Sequence, residues 1–390
     1  MIPAVLPTYA RADVTFERGE GAYLIAADGR RYLDFCSGVA VTALGHCHPR
    51  LVAALVEQAQ KLWHCSNLYH IAGQERAAER LVAASFADTA FFCNSGAEAM
   101  ECAIKVARKY HAERGHAERH RLICCTGSFH GRTLATLAAA GNEKYLKGFG
   151  PPAPGFDHVA YGNLNEMRAA IGPETAGIVV EPVQGEGGLA TASADYLRGL
   201  RAIADEFDLM LAFDEVQSGM GRTGKLFAHE WAGMAPDVMA LAKGLGGGFP
   251  VGACLATSRA AAGMTAGTHG STFGGNPLAM AAANAVLDVM LEPQFLPRVE
   301  RVATELRRRL DALAAAHPRI FVEARGKGLL VGLRCVVANG DMVDALRSEG
   351  LLAVAAGENV VRLLPPLIID ESHVGEAIAI IDRVARNWAH

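Results

Sequence analysis

Short apolar runs recur through the middle of the chain, at residues 90–93, 122–125, 178–181, 209–213, 238–242 and 253–256. Each has the length of a strand, and most are apolar without alternation, as strands covered on both faces are. Stretches of helical period separate several of them, notably 97–111 and 195–207. Strands alternating with helices predict an α/β fold, a mostly parallel sheet with helices on both sides. Such sheets take ligands beyond the carboxyl ends of their strands. Asn94-Ser95, Asp214 and Lys243 all fall at such ends.

The two flanks read differently. After a proline-containing arm, residues 21–25 and 31–35 flank Asp28-Gly29, a strong hairpin signal. From His48 the spacing turns helical, with Leu51, Ala54, Leu55, Gln58 and Leu62 on one face. The last third carries two long helical patterns (276–290 and 297–316), a strand at 328–335, a short helix, 351–364 and a terminal helix to His390. This predicts a smaller α+β domain that the N-terminal hairpin joins, made of residues 1–47 and 286–390, beside a large domain at 48–285. A chain of 390 residues exceeds the size at which one core stops growing, which also favours two domains.

Composition removes other classes. The chain is 51% hydrophobic and 20% charged with a net charge of −4, ordinary for a soluble protein. Its 37 Lys and Arg are scattered, with no basic tract interleaved with aromatics, which argues against nucleic acid as a partner. Pro3, Pro7, Arg11, Asp13 and Glu17 at the start fit neither a signal peptide nor a membrane span. Nine cysteines, an odd number without a C-x-x-C frame, read as reduced core residues and favour the cytoplasm. His46 and His48 flank Cys47, but Pro49 follows and no second cluster exists, so a loop is expected there and no metal site.

The candidate chemistry lies at the strand ends. Lys243, one of 8 lysines, closes an apolar run and faces Gly244-Leu245-Gly246-Gly247-Gly248. A partly desolvated amine has a lowered pKa and attacks aldehydes. Asp214 ends another buried run. A lysine that forms a Schiff base and an acid that holds a pyridinium nitrogen are the two groups pyridoxal phosphate most needs. Taken singly, a solvated strand-end Lys and a helix-capping Asp are the plainer and favoured accounts, and the two together with the loops below reverse that. Ser95-Gly96-Ala97-Glu98 opens a helix after a strand, a place for phosphate, and is equally a plain capping box. Phe129-His130-Gly131-Arg132-Thr133 offers an aromatic to stack on a planar cofactor and an Arg to fork a carboxylate. Its plainer account is a core Phe and a surface Arg. Glu181-Pro182-Val183-Gln184-Gly185-Glu186 and the loop at 269–277 are dense in glycine and polar groups, as functional loops are. Arg362 sits in an apolar strand, and a buried Arg implies a carboxylate partner.

These motifs together resemble the class-III aminotransferases of the ornithine/GABA type. Ser95-Gly96-Ala97-Glu98-Ala99, Glu181-Pro182 with Gln184-Gly185-Glu186, Asp214-Glu215-Val216-Gln217, Lys243-Gly244-Leu245 and Gly270-Ser271-Thr272-Phe273-Gly274-Gly275-Asn276-Pro277-Leu278 match in order and spacing over nearly the whole chain. Within the class, Phe129-His130-Gly131-Arg132-Thr133, Lys144-Tyr145 and Leu6-Pro7-Thr8-Tyr9 resemble the acetylornithine group of bacterial arginine biosynthesis.

The resemblance implies a fold-type-I pyridoxal-phosphate enzyme with a seven-stranded sheet, working as a homodimer with shared active sites. Lys243 would form the Schiff base and shuttle the proton. Asp214 would pair with the ring nitrogen, Gln217 with the ring hydroxyl, and Phe129 would stack on the ring. Ser95, Gly96 and Ala97 would hold the phosphate, with Thr272 reaching it from the second subunit. Arg132 would take the carboxylate distal to the reacting amine. Arg362 would take the α-carboxylate of glutamate or 2-oxoglutarate, and Glu186 would neutralise Arg362 in its absence. Tyr9 would close over the substrate, and Ser271 belongs to the same substrate-side set.

The chain departs from the family pattern at Met100 and Cys102, where the expected effect is on packing. Val39 stands where ornithine δ-aminotransferases have a Tyr, which leaves room for an acylated substrate. The reaction implied moves the δ-amino group of N2-acetyl-L-ornithine to 2-oxoglutarate. Alternatives are succinylornithine, succinyl-diaminopimelate, ornithine or GABA as donor, an aminomutase that returns the amine to the same skeleton, and a cofactor-binding regulator.

Overall fold

The computed structural model describes residues 2–388. Seven strands form the central sheet in the order Thr89–Cys93, Gly252–Ala256, Val238–Leu241, Met210–Asp214, Thr175–Val180, Arg121–Cys125 and Phe156–Val159. All neighbours run parallel except Gly252–Ala256, which is antiparallel to both strands beside it. The mostly parallel α/β sheet expected from the apolar runs is therefore present. Its two faces follow from the period of two along a strand. Leu122, Cys124, Met210 and Ala212 face the Gly96–Glu113 helix, through Ala99, Ala103 and Val106. Ile123, Cys125, Leu211 and Phe213 face the Ala194–Glu206 helix, through Leu197, Leu200 and Ile203. Unbroken apolar runs are what such two-sided burial requires.

Phe156–Val159 has no apolar run to announce it. It is the edge strand, its sequence Phe-Asp-His-Val alternates, and Asp157 is paired through both oxygens with Arg121 on its neighbour. The helix expected from His48 runs Pro49–Ala59. It ends before Leu62, which is exposed and lies off the helical face assigned to it.

The first three strands, Phe16–Glu20, Tyr23–Ala26 and Arg31–Asp34, form an antiparallel ribbon, and Leu351–Leu352 adds to it in parallel. A second antiparallel sheet, Phe321–Lys327, Leu330–Cys335, Val360–Leu363 and Val354–Ala356, lies under the helices Phe295–Ala316 and Asn339–Ser348, on which Glu371–Arg386 packs in turn. The terminal helix stops at Arg386, and its expected end at His390 lies outside the described residues. Among the described residues no helix is long and apolar enough to cross a membrane.

Candidate active site

A cavity of about 320 Å³ opens at the carboxyl edge of the central sheet. Lys243 lines it from the turn that follows Val238–Leu241. The residue has φ +42°, a conformation that costs a non-glycine roughly 1 kcal/mol or more. The turn holds it there through Leu245 N–H to the Ala242 carbonyl (2.9 Å) and Gly246 N–H to the Lys243 carbonyl (3.1 Å). Burial pulls the Lys243 amine down to about 8. The carboxylates of Glu186, Asp214 and Glu181 oppose that pull, and Arg362 assists it. A minor but far larger share of the amine than in an ordinary lysine is thus neutral near pH 7 and able to attack a carbonyl.

Asp214 ends the central strand of the sheet and is buried. Its Oδ1 accepts the Val216 N–H (3.0 Å), and its Oδ2 meets His130 Nδ1 at 2.8 Å. A carboxylate has about four acceptor positions. Two therefore remain, and Asp214 lines the cavity with acceptor capacity for a protonated ring nitrogen. Behind it, Glu181 accepts the Phe129 N–H (2.8 Å) and the Gly185 N–H (3.4 Å). Burial and repulsion by Asp214 push the Glu181 carboxyl up to about 8, against the pull of His130 and the two amides. Burial disfavours a charged His130, but the hydrogen bond and charge of Asp214, with Glu181, outweigh it and raise the imidazole pKa. Three buried titratable groups hence share one site, and His130 with the Val216 N–H fixes the Asp214 carboxylate in place.

At the opposite wall the Gly96–Glu113 helix begins. Ser95 is its N-cap, its Oγ accepting from Glu98 N–H (3.2 Å), while Glu98 takes the Asn94 N–H (2.5 Å). The capping account and the anion account both hold, because the cap leaves the N–H groups of Gly96 and Ala97 without intrahelical partners. These face the cavity, where a phosphate would sit on the helix dipole. Phe129 and Val216 supply apolar walls. A Cβ on Gly96 would come within 2.7 Å of Val216 Cγ1, so this residue has to be glycine for Val216 to pack as it does.

Arg362, 1% exposed on the Val360–Leu363 strand, stands behind the cavity wall and does not line it itself. Its Nη1 lies 2.7 Å from Glu186 Oε1 and donates to Gln217 Oε1 (3.1 Å). Its Nε has no partner among the described residues. Glu186 and Gln217 line the cavity, so the guanidinium already carries a carboxylate that a substrate carboxylate could replace. Arg132 is exposed at the rim, its guanidinium over Phe129 and Tyr145. Ser271 is tied to Asn94, beside the helix start, through its Oγ (3.2 Å).

Two expected residues stand apart. Thr272 is exposed on the outer surface of its loop, and Tyr9 is 75% exposed in the N-terminal arm; neither lines the cavity of its own chain. Val39 sits in a left-handed turn, Ser37–Ala40, with φ values of 50°, 61°, 64° and 66°. Asp34 braces the turn by accepting from the Cys36 and Ser37 N–H groups (2.9 and 2.8 Å), with His46 at 2.7 Å. Val39 packs against the cluster of Val183, Leu189 and Val360, and Val41 is the residue of this segment that lines the cavity.

The set fits pyridoxal phosphate: an amine for its aldehyde, an acceptor for its ring nitrogen, a helix N-terminus for its phosphate and apolar walls for its ring. Comparison with known proteins agrees. The family model for class-III aminotransferases matches residues 7–385. Acetylornithine aminotransferase 1 of Bradyrhizobium diazoefficiens is 59% identical over 381 residues, covering 98% of this chain and 94% of the relative. The solved N-acetylornithine aminotransferase of Stenotrophomonas maltophilia superposes with TM-score 0.84 at 38% identity, over 96% of each chain. An ornithine aminotransferase of Toxoplasma gondii, with PLP at partial occupancy in its active site, superposes with TM-score 0.94 at 32% identity, over 98% of this chain and 92% of the other. The chain belongs to the class-III aminotransferases, enzymes that work with pyridoxal phosphate.

Proposed function

We propose that the enzyme transfers the δ-amino group of N2-acetyl-L-ornithine to 2-oxoglutarate, giving N-acetyl-L-glutamate 5-semialdehyde and L-glutamate. The observation that carries this reading is the Arg362–Glu186 pair at the cavity wall, where Glu186 lines the cavity and Arg362 stands behind it. The reacting end of acetylornithine has no carboxylate, whereas that of glutamate has one. A buried Arg with an exchangeable internal carboxylate serves both. The relatives named acetylornithine aminotransferase support this choice of donor.

When bound, pyridoxal phosphate supplies a ring that withdraws electrons from the substrate's reacting carbon. Lys243 would hold the cofactor through its aldehyde carbon. Its amine, when free, would take the proton from Cδ of the donor and hold it for return within the site. The pKa of about 8 suits an amine that must both take and give that proton near neutral pH. Asp214, positioned by His130, keeps the ring nitrogen protonated. Gly96, Ala97 and Ser95 bind the phosphate, Gln217 the ring hydroxyl, and Phe129 packs on the ring. Arg132 binds the distal carboxylate that acetylornithine and glutamate share. In the second half, the α-carboxylate of 2-oxoglutarate displaces Glu186 from Arg362 and fixes the acceptor for attack at its keto carbon. The donor carbon leaves as an aldehyde, and the keto acid gains the amine and two electrons.

We place Thr272 on the phosphate of a second subunit, and Tyr9 over a substrate, because both are exposed and off their own cavity. The exposed Trp63, Leu68, Tyr69 and Phe273 support a homodimer, since large apolar side chains gathered at a surface mark association. Residues 1–47 and 286–390 are read as one small domain and 48–285 as the large one, with residues 1 and 389–390 outside the described part. The reduced cysteines, six of nine buried, favour a cytoplasmic setting. Steady-state rates with acetylornithine, succinylornithine, ornithine and GABA test the choice of donor. Acetylornithine should give the highest kcat/KM, and a clear preference for any other would replace this reading.

A further inference from the structure

Arg132 is a cation at the cavity rim, yet among the described residues it enters no ion pair. Its backbone is fixed. Gly131 has φ +134° and packs on Ala97, and Thr133 caps the Leu134–Ala140 helix through a reciprocal box with Thr136 while its Oγ also reaches Glu101. The side chain that leaves this rigid point is held by aromatic faces instead of an acid. The Arg132 Cζ lies 3.9 Å from the ring centroid of Tyr145 and 5.5 Å from that of Phe129. The two rings meet edge to face, with centroids 6.2 Å apart at 87°. A separation of 3.9 Å is reached only over the face of a ring.

That geometry has a chemical consequence. The five N–H donors of a guanidinium lie in its plane and a ring cancels none of its charge, so contact with the Tyr145 face at 3.9 Å leaves the fork able to take a carboxylate. A carboxylate partner would occupy two of them and cancel the charge. Stacking therefore orients the fork without consuming it. Tyr145 comes from the Glu143–Leu146 helix, whose N-cap Asn142 accepts from Lys144 N–H (3.0 Å). Its hydroxyl enters no hydrogen bond among the described residues, so the ring alone accounts for its role.

We propose that Tyr145 is a positioning residue for carboxylate recognition: its ring face holds the Arg132 fork open toward the distal carboxylate of the substrate. The proposal rests on the reading of Arg132 given above, and the test separates the two. Tyr145→Leu and Tyr145→Met remove the π face, Tyr145→Phe keeps it, and Arg132→Ala removes the fork itself. Each holoenzyme is assayed with N2-acetylornithine and with N-acetylputrescine, the same amine without its carboxylate. The Leu and Met variants should lower kcat/KM for acetylornithine about 2- to 5-fold, the scale of one exposed cation–π contact, with the loss in KM and kcat retained. Their rates with N-acetylputrescine should be unchanged, and Tyr145→Phe should match the unmodified enzyme on both. Arg132→Ala should abolish the preference for the carboxylated donor. If it does so while Tyr145→Leu and Tyr145→Met leave the preference intact, or slow both amines equally, the role of Tyr145 is overturned. If Arg132→Ala keeps the preference, the reading of Arg132 falls and this proposal with it.

Discussion

Replacing Glu186 by Ala should invert the enzyme's handling of its two amino donors. Arg362 is 1% exposed and lies 2.7 Å from a Glu186 carboxylate that is itself 29% exposed. Removing one partner of a fully buried pair costs roughly 3–5 kcal/mol. The cost here should be smaller, because Gln217 Oε1 still accepts from the guanidinium at 3.1 Å and the cavity admits water. With acetylornithine bound, no carboxylate reaches Arg362, and the full remaining cost is felt. Glutamate restores the pair with its own α-carboxylate and no longer has to displace Glu186. A differential of about 1.4–2.8 kcal/mol follows, a shift of about 10- to 100-fold in the ratio of the two first half-reactions. Single-turnover rates with each donor, followed by the cofactor's absorbance, measure it directly. Glu186→Gln, which keeps an acceptor and loses the charge, should fall between. Equal losses with both donors would refute the reasoning and make Glu186 structural.

Other consequences follow from the same geometry. Lys243→Ala should cut turnover by about 10²-fold or more, since covalent and proton-transfer roles coincide in one amine, while circular dichroism stays native; near-native turnover would remove Lys243 from the chemistry. Asp214→Asn should keep binding the cofactor and lose rate on the order of 10²-fold, because a neutral amide cannot hold the ring nitrogen protonated; an unchanged rate and pH profile would contradict that. The Lys243 pKa is lowered, so its amine is protonated and unreactive below about 8 and free above. Capture of pyridoxal phosphate by the apoenzyme should then speed up roughly tenfold per pH unit on the acid side and level off past about 8. A midpoint near the ordinary lysine value would mean that the amine is not desolvated.

What could be read in the chain depended on whether local pattern or distant packing fixed it. The strands buried on both faces stood out because nothing polar interrupts them, as in Ile178, Val179 and Val180 or Leu211, Ala212 and Phe213. The edge strand Phe156–Val159 did not, since one flank meets no further strand, Asp157 bonds sideways to Arg121 and His158 meets the Ala139 carbonyl. Lys243, Asp214, Glu186 and Arg362 were legible as strand-end or in-strand charges. The use of His130 was not: its partner Asp214 is 84 positions away, and only folding brings the two to 2.8 Å. The left-handed turn at Ser37–Ala40 had even less signal. It contains a single glycine, Gly38, and places a β-branched Val39 at φ 64°. Val216 has no signal of its own within Asp214-Glu215-Val216-Gln217, and what marks it is the glycine at 96 that makes room for it.

The central claim, transfer of an amine from the δ-carbon of acetylornithine to a keto acid at a cavity built around Lys243, is tested most directly by following the nitrogen. Holoenzyme is given N2-acetylornithine labelled with nitrogen-15 at the δ-amine, together with unlabelled 2-oxoglutarate, and the products are analysed by mass. The account predicts labelled glutamate and the semialdehyde in equal amounts, both formed about 10²-fold or more slowly with Lys243→Ala. Label that stays on the donor's own carbon skeleton, or turnover that proceeds without the keto acid, would contradict it.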